Sequence, residues 1–300
     1  MKKIAQGEHT FAQRWLIDPV VGLLVGSVLF LFWMMPLPMA RCVGRFLGKI
    51  VGKLNPKRNG WALFNLHIAF PKNTQAQNQK ILTQMWAHFG QVAAELPHLK
   101  RVLRESKCHH IGYLKQAYQA GRGGFVCSAH FGNWEVPFGR QVAPDFVLNP
   151  VFRKANNVFL NWLLFHHRQG VKIPKGPSGA RTMIDLLKKG KFISILCDQK
   201  FREGMTVPFY GMPAQTATAM TKLALKMNLP ILMAKCVFQK DHYEIEIFKP
   251  LVLPQASSRE EAEYQLMLKI NQIYEQWFRQ NPEQVLWVHR RYNKHIYPKS

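Results

Sequence analysis

His130-Phe131-Gly132-Asn133-Trp134-Glu135 places an imidazole and a carboxylate five residues apart, directly after the apolar run from Gly123 to Ala129. Such a run reads as a buried strand, so His130 falls on the rim where the strand ends and Glu135 in the first turn beyond it. From there the carboxylate can swing back and orient the ring. Histidine titrates near neutral pH, and a ring held by a carboxylate is suited to take a proton from a hydroxyl as that hydroxyl attacks an acyl carbonyl. The competing reading is a hydrogen-bonded surface pair. Gly132, which permits a tight turn, and the neighbouring strand ends favour the catalytic one.

Those ends close in polar side chains. The strand ending at Phe152 delivers Arg153, and the one ending at Cys197 delivers Asp198-Gln199. In open α/β sheets ligands sit beyond the carboxyl ends of the strands, so the three ends define a candidate site. Arg153 can bind a phosphate or fix Glu135, since a guanidinium matches either bidentately, or form a surface ion pair. Asp198 can equally cap the next turn, and Gln199 can be structural. Lys175-Gly176-Pro177-Ser178-Gly179 is a weak phosphate-cradle signal. Val207-Pro208-Phe209-Tyr210-Gly211 reads either as an apolar loop closing over a lipid chain or as a packed core loop. The tail Trp287-Val288-His289-Arg290-Arg291-Tyr292 offers Arg290 and Arg291 to a phosphorylated headgroup, or forms a last strand. Cys127 or Ser128 with His130 would suit an esterase, but neither sits in the G-x-S-x-G elbow that exposes such a nucleophile.

The elements that must position these groups alternate. Strands are expected near Gly123–Ala129, Phe146–Phe152, Val171–Ile173, Phe192–Cys197, Ile231–Phe238 and Tyr243–Phe248, and helices over Val158–Gln169, Ser178–Lys189 and Thr216–Asn228. Alternation of this kind predicts a three-layer α/β/α fold with a mostly parallel central sheet. Ser178 reads as a helix cap and Gly190 as a stop, and Ser258-Arg259-Glu260-Glu261 as a capping box before the last helix. Trp61–Phe70 and Thr74–Leu96 form a helical lead-in. No internal repeat or linker is visible, so one globular domain is expected.

With 47% hydrophobic residues in a 300-residue chain, a large core is assured and disorder excluded. Lys and Arg total 41 against 17 Asp and Glu, a formal charge of +24, so the surface seeks anionic partners. Phospholipid, nucleic acid and an acidic protein all qualify. The five scattered cysteines lack disulfide or zinc spacing and fit a reducing compartment. The pairs His109-His110 and His166-His167 are adjacent rather than three or four apart, so no metal site is expected.

Nothing charged lies between Asp18 and Arg41. Val20 to Met35 as a helix covers about 24 Å, short of the roughly 30 Å hydrocarbon core, before Pro36 and Pro38 discourage continuation. A thin span or a helix dipping into one leaflet both fit a retained anchor, and the heavier positive flank after it is expected to stay cytoplasmic. Arg41, Arg45, Lys49 and Lys53 then recur every fourth position among apolar residues. That predicts a basic amphipathic helix lying in an anionic interface, each cation adding on the order of 1 kcal/mol. Residues 1–60 are thus read as anchor and amphipathic helix, and 61–300 as the globular domain.

These residues together resemble the lipid A biosynthesis lauroyl/myristoyl acyltransferases of the lysophospholipid acyltransferase superfamily. The likeness runs through the anchor, Asn65 to Pro71, His130 to Glu135, Phe152-Arg153 with Asn157, Asp198-Gln199, Val207 to Gly211 and Trp287 to Arg291. Phe152 and Tyr292 depart slightly from the family pattern. The resemblance implies transfer of a fatty acyl chain from an acyl carrier protein thioester to a hydroxyl on the 3-hydroxyacyl chains of a phosphorylated glucosamine disaccharide, at the cytoplasmic face of a bacterial inner membrane and without a cofactor. It implies His130 as base, Glu135 as its orienter, and Arg153, Asn157, Asp198, Gln199, Arg290 and Arg291 as substrate-binding. A lysophospholipid or other glycolipid acceptor keeps the same chemistry, while a basic nucleic-acid-binding protein would leave the apolar segment unexplained.

Overall fold

A computed structural model of the chain describes residues 17–136, 145–152, 157, 161–162, 170–174 and 176–298. Among the described residues five α-helices come first: α1 (Asp18–Met34), α2 (Leu37–Lys53), α3 (Pro56–Ala69), α4 (Gln75–Glu95) and α5 (Leu99–Glu105). Next come β1 (Lys107–His109), α6 (Ile111–Gln119), β2 (Gly124–Ser128), β3 (Leu148–Phe152), β4 (Ile173–Pro174), α7 (Pro177–Lys188), β5 (Phe192–Leu196), β6 (Lys200–Phe209), β7 (Met212–Thr216), α8 (Ala219–Met227), β8 (Ile231–Gln239), β9 (His242–Ile247) and α9 (Arg259–Gln280).

Local chemistry sets the helix limits. Thr74 and Gln77 form a reciprocal capping box at the start of α4, and Ser258 accepts the Glu261 N–H at the start of α9. α7 is opened by Pro177 after Gly176, so Ser178 lies inside its first turn instead of capping it. Gly190, at φ +69°, ends α7 in the left-handed region that favours glycine. The Val158–Gln169 helix falls almost wholly outside the described residues, of which Asn161 and Trp162 are helical.

Seven strands form one sheet in the order β1-β9-β8-β2-β5-β3-β4, parallel throughout except for β8 against β9. Strands buried on both faces need apolar side chains in either direction, and the five residues of β2 are all buried. Phe125 and Cys127 pack into a core shared with α3, α4, α7, α8 and α9, whereas Val126 joins a second core with Val102 of α5 and Leu114 of α6. The mostly parallel α/β sheet is therefore covered by helices. β6 and β7 make a separate antiparallel hairpin, turned at Tyr210 and Gly211 with φ of +50° and +74°. It buries Val207 and Phe209, so the core-packing reading of that segment holds. Among the described residues no strand forms in the tail, and just before it Val285 makes an isolated bridge to Phe131.

The amino-terminal elements differ from expectation in two ways. Among the described residues no helix is long and apolar enough to cross a membrane, so the spanning form of the anchor is not found. α1 has 17 residues and a length of about 25 Å. In α2 the basic stripe is turned partly inward: Arg41 is buried against Glu95, and Arg45 bonds Gln91 and Gln84. The cause is a row of small residues beside it. Gly44, Gly48 and Gly52 meet Trp86, Gly90 and Ala94 of α4 so closely that a Cβ on Gly48 would lie 2.1 Å from the Trp86 carbonyl oxygen. Phe46, Leu47, Ile50, Val51 and Leu54 are left exposed, with Lys49 and Lys53 among them.

Candidate active site

Strand register brings the catalytic candidates together. β2 and β5 are adjacent and parallel with Ser128 opposite Leu196, so His130 and Asp198 each lie two residues past a paired position. Both side chains emerge from the same edge, and His130 Nδ1 lies 2.9 Å from Asp198 Oδ1. A carboxylate only accepts, so Nδ1 carries a proton, and in the neutral ring Nε2 then holds the lone pair. The amide Nε2 of Gln199 donates to that lone pair at 3.3 Å. Burial works against the ionised form of Asp198, but the electrostatic interaction with His130 and hydrogen bonds from its side chain and backbone hold the carboxyl below its usual range.

The carboxylate on Nδ1 thus comes from a neighbouring strand rather than from the nearby sequence. Glu135 lies in the turn after β2, half-buried, with its backbone N–H donated to Asn133 Oδ1 at 3.1 Å. Arg153 falls outside the described residues. Asn157 is buried and donates through Nδ2 to the Asp18 carbonyl, fastening the start of α1. The guanidinium of Arg290 packs over Trp61 at 4.5 Å, beside that of Arg58 at 5.1 Å. Arg291 is turned into the core, where it donates to Gln215 O and Thr216 Oγ1. Burial pulls its guanidinium below the ordinary value, offset in part by Asp198. Those contacts hold its guanidinium within the fold.

Several contributors are invisible in the local sequence. Trp134 and His289 flank the His130 ring, with centroids 5.4 and 6.2 Å away. Asn65 fastens the tail that carries His289, donating to the carbonyls of Trp287 and His289 and accepting from Tyr297. The tail and Asp198 border a small cleft lined also by Asn65, Gln199, Phe209 and Phe278. Lys200 donates to Tyr292 O and Asn293 Oδ1, and burial, Arg202 and Arg290 together lower its pKa. Cys127 and Ser128 are buried, with the Cys127 sulfur 3.0 Å from the Tyr274 hydroxyl, which donates to the Ser128 carbonyl. Neither is presented as an esterase nucleophile. Among the described residues no group of three or more His, Cys, Asp or Glu side chains is placed to hold a metal ion.

The turn itself is pinned from below. Gly132, at φ +60°, has its Cβ position 1.9 Å from the Cys236 carbonyl oxygen, so no larger residue fits. Its own carbonyl accepts from His88 Nε2 at 3.2 Å. Burial pushes the His88 pKa down to about 4, only partly offset by that hydrogen bond. An unfolded chain takes up this proton near pH 6.5 and the folded one does not, so stability is lost as pH falls from about 6.5 to about 4. The expected loss is roughly 3 kcal/mol. Denaturant midpoints at pH 7.5, 5.5 and 4.5 check it, with His88→Gln expected to lack that component of the pH dependence.

The site is thus a carboxylate-held histidine at the end of a strand in a mostly parallel α/β sheet. Residues 10–294 match the family model for bacterial lipid A biosynthesis acyltransferases, and the chain belongs to that family. It is 24% identical over 274 residues to the lipid A biosynthesis palmitoleoyltransferase of Escherichia coli K12, and 22% identical over 277 residues to the lauroyltransferase of the same organism, each alignment covering 89% of both chains. A crystal structure of the 1-acyl-sn-glycerophosphate acyltransferase of Thermotoga maritima aligns at TM-score 0.35 and 13% identity, over 78% of this chain and 97% of that one. The protein is an acyltransferase.

Proposed function

We propose that the protein transfers a fatty acyl chain from an acyl carrier protein thioester to a hydroxyl of a phosphorylated lipid A precursor. The observation that carries this reading is the His130–Asp198 pair, held with a defined tautomer at the rim of the sheet in a member of this family. Asp198 keeps the proton on Nδ1 and stabilises the imidazolium. Nε2 takes the proton of the acceptor hydroxyl as its oxygen bonds to the thioester carbonyl carbon. Collapse of the tetrahedral adduct breaks the carbon–sulfur bond, and His130 returns the proton to the departing thiolate. A thioester is already activated, so this exchange is complete without a cofactor. Glu135 is assigned as a second carboxylate, in the turn that follows His130, and Arg153 as its partner or as a ligand of acceptor phosphate.

Arg290 shares Trp61 with Arg58 and acts electrostatically on Lys200, so positive charge gathers along the tail that carries His289, which suits an acceptor bearing phosphates. The net charge of +24 suits an acidic carrier protein and an anionic inner-membrane surface on the cytoplasmic side. Leu23, Leu24, Trp33 and Met34 of α1 and the exposed residues of α2 form the apolar surface that would enter one leaflet. Residues 1–60 then serve as the membrane-contacting segment and 61–300 as the acyltransferase domain. A nucleic-acid-binding role would leave that apolar surface without a purpose.

The test is to incubate detergent-solubilised protein with acyl carrier protein thioester and a lipid A precursor and weigh the product by mass spectrometry. A gain of one acyl chain is expected. An unmodified precursor alongside an acylated lysophospholipid would move the acceptor to that class.

A further inference from the structure

The Glu95 side chain is wholly buried at the carboxyl end of α4, and its carboxylate collects four donors. Arg41 Nε at 2.7 Å and Gln91 Nε2 at 3.1 Å meet Oε1; Asn133 Nδ2 at 2.9 Å and the Tyr243 hydroxyl at 2.7 Å meet Oε2. Four donors fill the four lone-pair directions of one carboxylate, so the group has no freedom to turn. One of the four belongs to the turn that carries His130. Asn133, itself buried, donates through its amide nitrogen to Glu95 and accepts the backbone N–H of Glu135 on its amide oxygen. The orientation of that amide is therefore dictated from α4, and it fixes the bend between His130 and Glu135.

We propose that Glu95 is a positioning residue for acyl transfer: through Asn133 it sets the geometry of the turn from His130 to Glu135, with Arg41 of α2 as its counter-ion. This rests on the catalytic assignment of that turn. Arg41 also donates to the Asp241 carbonyl at 2.5 Å, so the anchor of the network ties α2 to the turn between β8 and β9.

The chemistry predicts a specific failure and a specific repair. In Glu95→Gln the new amide oxygen turns to Arg41 and its NH2 group faces Asn133, donor against donor. Asn133 must then flip, which takes its oxygen away from the Glu135 N–H. Adding Asn133→Asp places acceptors at both ends of that side chain, so the NH2 group at position 95 and the Glu135 N–H each regain a partner.

The experiment measures kcat and KM for acyl transfer, and amide hydrogen exchange across residues 130–136, in the full-length protein. Glu95→Gln is expected to lower kcat roughly 10- to 100-fold with KM within about twofold, and to speed exchange at the Glu135 amide at least about 10-fold. Glu95→Gln combined with Asn133→Asp is expected to recover most of both losses, as coupled sites do. If Glu95→Gln does not fold, Asn133→Ala, which leaves the Arg41–Glu95 and Tyr243 contacts in place, reads the same coupling. Unchanged exchange and kcat in the folded single variant, or a double variant no better than the product of the two singles, overturns the proposal. Exchange needs no substrate, so a wild-type protein inactive toward the proposed donor and acceptor would refute the functional reading while leaving this test intact.

Discussion

Alanine in place of His130 is expected to lower kcat by roughly 10²- to 10⁴-fold, the usual contribution of a positioned base. The two side chains hydrogen-bonded to the ring cannot take over, since Gln199 has no basic nitrogen and Asp198 is buried behind the ring. The fold should survive, because the His130 carbonyl keeps its bond from the Leu286 N–H and β2 ends before the substituted position. Steady-state transfer from acyl carrier protein thioester, with the unfolding midpoint measured beside it, checks this. Turnover within tenfold of wild type would remove His130 from the chemistry.

The second large effect is expected at Asp198. Asp198→Asn preserves shape but offers Nδ1 an amide that can donate, which allows the ring to move its proton to Nε2 and lose the lone pair the reaction needs. In the serine protease triad, the same substitution fixes the wrong histidine tautomer and costs about 10⁴-fold. A fall of about 10²- to 10⁴-fold in kcat is expected here on the same ground, with KM little changed. Glu135→Gln measured in parallel divides the labour between the carboxylates. A loss at Glu135 with normal turnover in Asp198→Asn would return the orienting role to Glu135. Burial opposes ionisation of Asp198, yet contact with His130 holds its pKa below the ordinary value. The contact is therefore present above the usual carboxylate range and is lost only as pH falls through that depressed value.

Much of the fold is legible because strands buried on both faces must be written as continuous apolar runs. β2, β5 and β8 stand out for that reason, and His130, Asp198 and Gln199 are the polar residues just past the ends of the first two. Pairing is a different matter. Glu135 is nearer to His130 in sequence, but the register of β2 on β5 is set by contacts some seventy residues apart, and it carries Asp198 to the ring. The hairpin of β6 and β7 escapes such a reading because Lys200 to Thr206 mixes polar and apolar residues and none of them is fully buried, so burial imposes no pattern on it. In α2, periodicity reveals a cationic stripe without saying which way it faces. Gly44, Gly48 and Gly52 hold that information, since three glycines at every fourth position form a flat strip where another helix backbone can approach. Asn65 and Trp61 act through the folded tail, which no local spacing around either residue reveals.

The amide of Gln199 on the lone pair of His130 bears on a problem every transferase of activated esters must solve, which is why water is not the acceptor. A histidine base that could activate a lipid hydroxyl could activate a water molecule, and the thioester would be hydrolysed to no purpose. A water has to break the Gln199 contact unaided. A hydroxyl belonging to a bound acceptor arrives tethered, and well-oriented tethered groups react as though present at about 10⁵ to 10⁸ M. If His130 is the base as proposed, that resting hydrogen bond would act as a threshold that an anchored nucleophile crosses more readily than a free water, favouring transfer over hydrolysis.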